Sequence, residues 1–131
     1  MVWAAFGVTT LLMNDRYIFK LLTQDQWQSF QADKTFTGAP VDLADGYIHF
    51  SARQQLAETA QKYFADVPDV IVAEITVDAL PVPLKWEPAR KGALFPHLYA
   101  DLPLACVARH AVLTRSAGGQ FLFPDWAQAH P

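Results

Sequence analysis

Four prolines, Pro81, Pro83, Pro88 and Pro96, fall within sixteen residues of the chain. Each lacks a backbone N–H and fixes φ, so no long helix runs through this stretch, and a proline within a sheet belongs at an edge or a strand end. The segment is therefore expected to form short edge strands joined by stiff loops.

The elements around it follow from periodicity. Tyr17 to Leu22 is short, aromatic and β-branched and reads as a buried first strand. Thr23 and Gln26 form a capping-box pattern that starts a helix carrying Trp27 and Phe30 before Asp33. Thr35 to Ala44, with Gly38 and Pro40, reads as a loop. From Gly46 to Ser51 a period of two puts Ile48 and Phe50 on one face and Tyr47, His49 and Ser51 on the other. Ser51 and Gln54 suggest a second capping box, and Leu56, Ala60, Tyr63 and Phe64 recur at helical spacing, so residues 52–64 are expected to be amphipathic helix. Val70 to Val77, whose only charge is Glu74, reads as a central strand, and Ala105 to Thr114 as a final one. The class is α+β with two main helices.

At 131 residues, 52% hydrophobic and 18% charged, the chain is sized for one core and leaves no room for a long disordered tract. We expect residues 1–13 to be a loosely ordered N-terminal extension, 14–115 a single globular domain, and 116–131 a tail that can add an edge strand after the Gly118-Gly119 turn. A net charge of −3 with scattered basic residues offers no footprint for nucleic acid. The single cysteine, Cys106, excludes an intramolecular disulfide and suits a reducing, cytoplasmic setting. The apolar opening is too short to span a bilayer and lacks the marks of a signal peptide, so neither export nor membrane anchoring is expected. Trp3, Phe6 and Trp126 in the terminal segments leave the oligomeric state open.

Polar chemistry gathers in two segments, expected to face one pocket for a small-molecule ligand. In Asp45-Gly46-Tyr47-Ile48-His49-Phe50-Ser51 an imidazole stands beside a helix start whose free N–H groups suit an anion. The plainer reading is a turn, a surface histidine and a cap. In Lys85 to Tyr99, Lys85 and Glu87 share one strand face with Trp86 opposite, and His97 and Tyr99 share one with Leu98 opposite. Glu87, Arg90, His97 and Tyr99 around a stiff loop can recognise a ribose and phosphates; the plainer reading is a Glu87–Arg90 ion pair tying the loop over packed aromatics. No P-loop or dinucleotide-binding glycine pattern is present. His49, His97, His110 and Cys106 lack a recognised ligand spacing, so no metal is expected, and Cys106 among Ala105, Val107 and Ala108 reads as an inert buried thiol.

These strings, with Glu58-Thr59 and Phe64 between them and Lys85-Trp86-Glu87, Arg90, Gly92 and Phe95-Pro96-His97-Leu98-Tyr99 after them, resemble a bacterial domain family of unknown function. The likeness runs from about Tyr17 to Leu113. That family is grouped with the ADP-ribosyltransferase-like superfamily, so the resemblance implies two small split sheets, mixed or antiparallel, with NAD as the substrate in the cleft between them. It implies that His49 touches the ribose with Ser51 in support, and it nominates Glu87 as the catalytic carboxylate. Phe50 stands where the superfamily often has glycine. With the reading of the residues themselves, this makes His49, Glu87 and His97 the candidate catalytic residues, and Tyr47, Ser51, Arg90 and Tyr99 the candidate ligand-binding ones.

Three functions compete. The first is an NAD-consuming ADP-ribosyltransferase or glycohydrolase, in which Glu87 stabilises an oxocarbenium-like state. The second is a noncatalytic nucleotide- or metabolite-binding domain. The third is an unrelated enzyme on a small anionic metabolite, with His49 and His97 as acid and base and Arg90 as anion anchor.

Overall fold

The structure, a computed structural model, describes residues 16–129; the expected extension at 1–13 lies outside them. Strand β1 (Tyr17–Leu22) leads into helix α1 (Gln24–Asp33), whose Thr23–Gln26 capping box is fully formed. Residues 35–44 are not the expected loop. They contain β2 (Thr35–Phe36) and most of a short helix α2 (Pro40–Asp45). Pro40 occupies the first helical turn, where its missing N–H costs nothing, and Gly46 ends the helix at φ 90°, the left-handed conformation a glycine adopts without strain.

Strand β3 (Ile48–His49) is shorter than expected, and a 3₁₀ turn (Arg53–Gln55) precedes α3 (Leu56–Tyr63). The expected Ser51–Gln54 box is replaced by half of one: the Gln55 side chain accepts from the Ala52 amide at 2.9 Å, and Ala52 has no side-chain acceptor to return the bond. Then come β4 (Ile71–Thr76), β5 (Lys85–Pro88), β6 (Leu94–Leu98), β7 (Leu102–Pro103) and β8 (Val107–Val112), the last after a 3₁₀ turn at Leu104–Cys106 that shortens the expected final strand. A hairpin of β9 (Thr114–Arg115) and β10 (Phe121–Leu122) follows.

Among the described residues the strands form two three-stranded antiparallel sheets, β1-β4-β8 and β3-β6-β5, and two small pairs, β2-β7 and β9-β10. One isolated β-bridge among the described residues joins the backbones of the larger sheets: Phe19 and Ser51 exchange N–H···O bonds of 2.9 Å each. One core cluster, including Ile18, Leu22, Phe30, Ile48, Ile75 and Leu98, fills the space between them; a second, including Phe19, Leu21, Leu56, Ala60 and Val72, lies on the other face of β1 and β4 beneath α3. The alternation along β1 thus buries both of its faces.

Pro96 corrects the expectation that prolines sit only at edges, because β6 is the central strand of its sheet. The reason lies in the brevity of β3. Pro96 offers its carbonyl to Phe50 N–H at 3.0 Å just where the regular pairing of β3 ends, so its missing donor falls at the end of the ladder.

Candidate functional site

One face of the β3-β6-β5 sheet carries the candidates. The register sets His49, His97 and Lys85 side by side across three strands, with Glu87 opposite Phe95 one row along. The opposite face, with Ile48, Leu98 and Trp86, packs into the first core cluster. Strand alternation therefore delivers Tyr47, His49, Glu87, His97 and Tyr99 to one surface.

His49 is held on all sides. Its Nδ1 lies 2.6 Å from Asp42 Oδ1 and its Nε2 2.9 Å from Asp45 Oδ2, and its amide donates to Asp42 Oδ1 at 3.0 Å. Asp42, 2% exposed, also accepts from the Ala39 amide at 2.8 Å and from Lys20 Nζ at 3.2 Å, and Lys20 donates to the His49 carbonyl at 2.6 Å. Burial pushes the Asp42 carboxyl up, but the His49 ring, the Lys20 charge and the two amides outweigh it and hold it at about 2. Burial lowers the Lys20 ammonium, opposed by Asp42. Lys20 belongs to β1 and Asp42 to α2, and because both bond to His49 of β3 this buried pair ties the first sheet to the second.

His97, 1% exposed, places Nδ1 2.7 Å from Glu87 Oε1, and the Tyr99 hydroxyl donates to the same oxygen at 2.9 Å. These bonds hold the Glu87 carboxyl below its ordinary value. The Tyr99 phenol is raised, chiefly by its bond to that carboxylate, and the Tyr47 phenol by desolvation and by the Asp45 and Glu87 charges, so both stay protonated donors at neutral pH. The Tyr47 ring stacks on His97 at 4.2 Å between centroids and lies 4.7 Å from His49 and 5.0 Å from Tyr99. Among the described residues His97 Nε2 has no hydrogen-bond partner. An unpaired buried acceptor costs about 1–3 kcal/mol.

Two candidates stand elsewhere. Ser51 is buried and does not share the outward face of His49; its hydroxyl donates to Thr59 Oγ1 at 3.2 Å. The reason is its pairing with Phe19, which takes the chain out of β3 and turns Ser51 toward α3. Arg90 makes no pair with Glu87. Its guanidinium donates to Thr59 Oγ1 at 3.3 Å, reaches Glu58 at 3.7 Å and lies 4.9 Å from the Phe95 ring centre. Ser51, Thr59 and Arg90 thus form a second polar group beside α3. Nor do His49, Glu87 and His97 line an open pocket: the adjoining hollow, about 310 Å³, is walled by residues including Tyr47, Tyr99, Asp42, Leu43 and Asp101.

Sequence reasoning missed Lys20, Asp42 and Thr59 as organisers. Lys20 was legible as the lone charge in an apolar strand. Asp42 was hidden because α2 read as a loop, although Pro40 at a helix start was a signal. Cys106 is buried, donates to the Ala79 carbonyl at 3.2 Å and has its thiol pushed up by burial, the state of an unreactive cysteine. Among the described residues no three His, Cys, Asp or Glu side chains group to hold a metal, and no helix is long and apolar enough to cross a membrane.

The chain is similar to the protein CC0527 from Caulobacter crescentus. Its crystal structure matches at 40% identity with a TM-score of 0.78, covering 85% of this chain and 97% of that one. The crystal structure of a double mutant of that protein matches at 38% identity with the same TM-score and the same coverage. Its solution NMR structure matches at 40% identity with a TM-score of 0.71, covering 81% and 91%. No curated protein matches the sequence. Residues 21–110 match the family described as Protein of unknown function (DUF952), and the chain belongs to that family.

Proposed function

We propose that this chain binds NAD or ADP-ribose on the face built by Tyr47, His49, Glu87, His97 and Tyr99, as a domain of the ADP-ribosyltransferase-like kind. The observation that carries this reading is the convergence of two phenol rings, two imidazoles and an ionised carboxylate on one sheet face beside an open hollow, where two antiparallel sheets part company after one bridge. A pyrophosphate needs positive charge, and the acidic groups Asp42, Asp45 and Glu87 do not supply it. Arg90 does. Its guanidinium lies over Phe95, two residues along β6 from His97 and so roughly 7 Å away on the same face. The arrangement suits an extended ligand whose ribosyl end meets the aromatic, acidic part of the face and whose phosphates reach toward Arg90 and Thr59.

Turnover is a second reading, favoured by Glu87. Its carboxylate is ionised, partly exposed and oriented by His97 and Tyr99, as required of a group that bonds a ribose hydroxyl while positive charge grows on the sugar. Calorimetric titration with NAD and ADP-ribose, paired with an assay of released nicotinamide, separates the two. Binding with nicotinamide release that Glu87→Gln abolishes supports an enzyme; binding without release supports a noncatalytic domain. Absence of binding by both nucleotides rejects the proposal.

A further inference from the structure

The loop between β5 and β6 carries Arg90 and Lys91 and brings both to the flank of α3. Lys91 shapes it at φ 57° and ψ 25°, a left-handed conformation that a lysine adopts only at a cost, and Gly92 follows at φ 77°. One carboxylate, Glu58 of α3, thereby stands between two cations. Its Oε1 lies 3.7 Å from Arg90 Nη2 and its Oε2 3.7 Å from Lys91 Nζ, and neither distance makes a hydrogen bond.

The Lys91 side chain is 80% exposed, so water serves its ammonium. Arg90 is different. Its side chain is 11% exposed, and of its five N–H donors one reaches an acceptor among the described residues, Thr59 Oγ1 at 3.3 Å. The rings of Phe95 and Tyr63, 4.9 and 5.9 Å from the guanidinium carbon, offer those donors no oxygen. Committed arginines in the same chain look otherwise. Arg109 grips Glu74 through Nε at 3.0 Å and Nη2 at 3.3 Å, and Arg115 donates to the carbonyls of Phe64, Ala65 and Val67. Arg90 is charged, nearly enclosed and short of acceptors, and the carboxylate nearest to it rides on an exposed side chain that is free to leave.

We infer that Arg90 and Lys91 form a phosphate site in which Glu58 is the resident stand-in: a phosphate or diphosphate group displaces the carboxylate and takes the Arg90 fork directly. Charge drives the exchange. Two cations face a single negative charge, whereas the incoming group carries about two, on oxygens that match the planar guanidinium. Lys62, one turn beyond Glu58 on α3, gives the displaced carboxylate a new partner. Glu58 is then a specificity-determining residue. A simple carboxylate brings no more charge than Glu58 already supplies and stays out, and a phosphate enters. The site supplies the phosphate end of the binding reading above and rests on that reading for the ribosyl end alone.

Inorganic pyrophosphate and ADP-ribose, titrated into the full chain at fixed ionic strength, test it by backbone-amide and arginine side-chain ¹⁵N NMR. Both should move Arg90 Nε and the amides of Arg90 to Ala93 and saturate, and acetate should not. Glu58→Gln should bind pyrophosphate about threefold more tightly, and Arg90→Gln roughly tenfold more weakly. Asp66→Asn, past the end of α3, removes the same charge outside the site and should change the affinity by less than about twofold. A gain in Asp66→Asn equal to that in Glu58→Gln, or no gain in Glu58→Gln, overturns the inference. Because Glu58 is exposed, its variant keeps the test intact should Arg90→Gln not fold. Pyrophosphate held at Arg90 with no response to ADP-ribose leaves this site standing and removes the nucleotide reading. ADP-ribose bound on the Tyr47–Tyr99 face with Arg90 and Lys91 unmoved does the reverse.

Discussion

The two three-stranded sheets have the same number of strands and the same antiparallel pairing, and they differ in what covers them. The β1-β4 part of the first sheet is packed on both faces, so Phe19, Ile18, Val72 and Ile75 are wholly buried and nothing there is left to meet a ligand. The second sheet meets apolar core on one face only, and on the other its central strand is closed over by polar and aromatic side chains, His97 being 1% exposed. Its inner side is apolar and its outer side holds imidazoles, phenols and carboxylates bonded to one another. Equal architecture with unequal cover puts apolar packing on both faces of one sheet and a polar cluster on one face of the other.

The largest effect should come from opening the covered sheet. Phe19→Ala empties a site against Leu56, Ala60 and Val72 and should cost about 3–5 kcal/mol by chemical denaturation, while whatever remains folded binds normally. Asp42→Ala attacks the tie between the sheets. It strands the Lys20 ammonium in a buried position and frees His49, and a loss of about 3–5 kcal/mol is expected, this time with the ligand face disturbed. A loss below about 1 kcal/mol would mean that the Lys20–Asp42 pair does not join the sheets.

The same carboxylate should set an acid limit. Its ordinary value of 3.8 falls to about 2 in the folded chain. A depressed carboxyl adds stability that is complete above 3.8 and disappears as the pH falls toward 2. Denaturation curves between about pH 5 and pH 2 should lose on the order of 2 kcal/mol through this group, and Asp42→Asn should flatten that part of the profile. The smallest effect belongs to the outer face. Tyr99→Phe removes one partly exposed bond to Glu87 and should change stability by about 1 kcal/mol or less, with its main effect on ligand affinity.

How far the sequence disclosed this division depended on the range of the interactions. Strand period alone placed Ile48 and Leu98 inward and His97 and Tyr99 outward, because alternation is a local property. Ser51 broke that rule. Its pairing with Phe19 joins residues 32 positions apart, and no local pattern announces it. Arg90 likewise turned from Glu87 to Thr59 because α3 packs beside the β5–β6 loop, a tertiary fact. The clamp on His49 hinged on α2, six residues whose start is marked only by Pro40. Pro96 fits a central strand because β3 stops where the proline's missing donor begins to matter.

The most direct test of the division is backbone-amide NMR mapping of ADP-ribose binding. Shift changes should concentrate at Tyr47 to His49, Lys85 to Glu87 and Phe95 to Asp101, with β1 and β4 unmoved apart from Lys20. Changes centred on β1, β4 and β8, or saturating ADP-ribose with no change on the β3-β6-β5 face, would contradict that division.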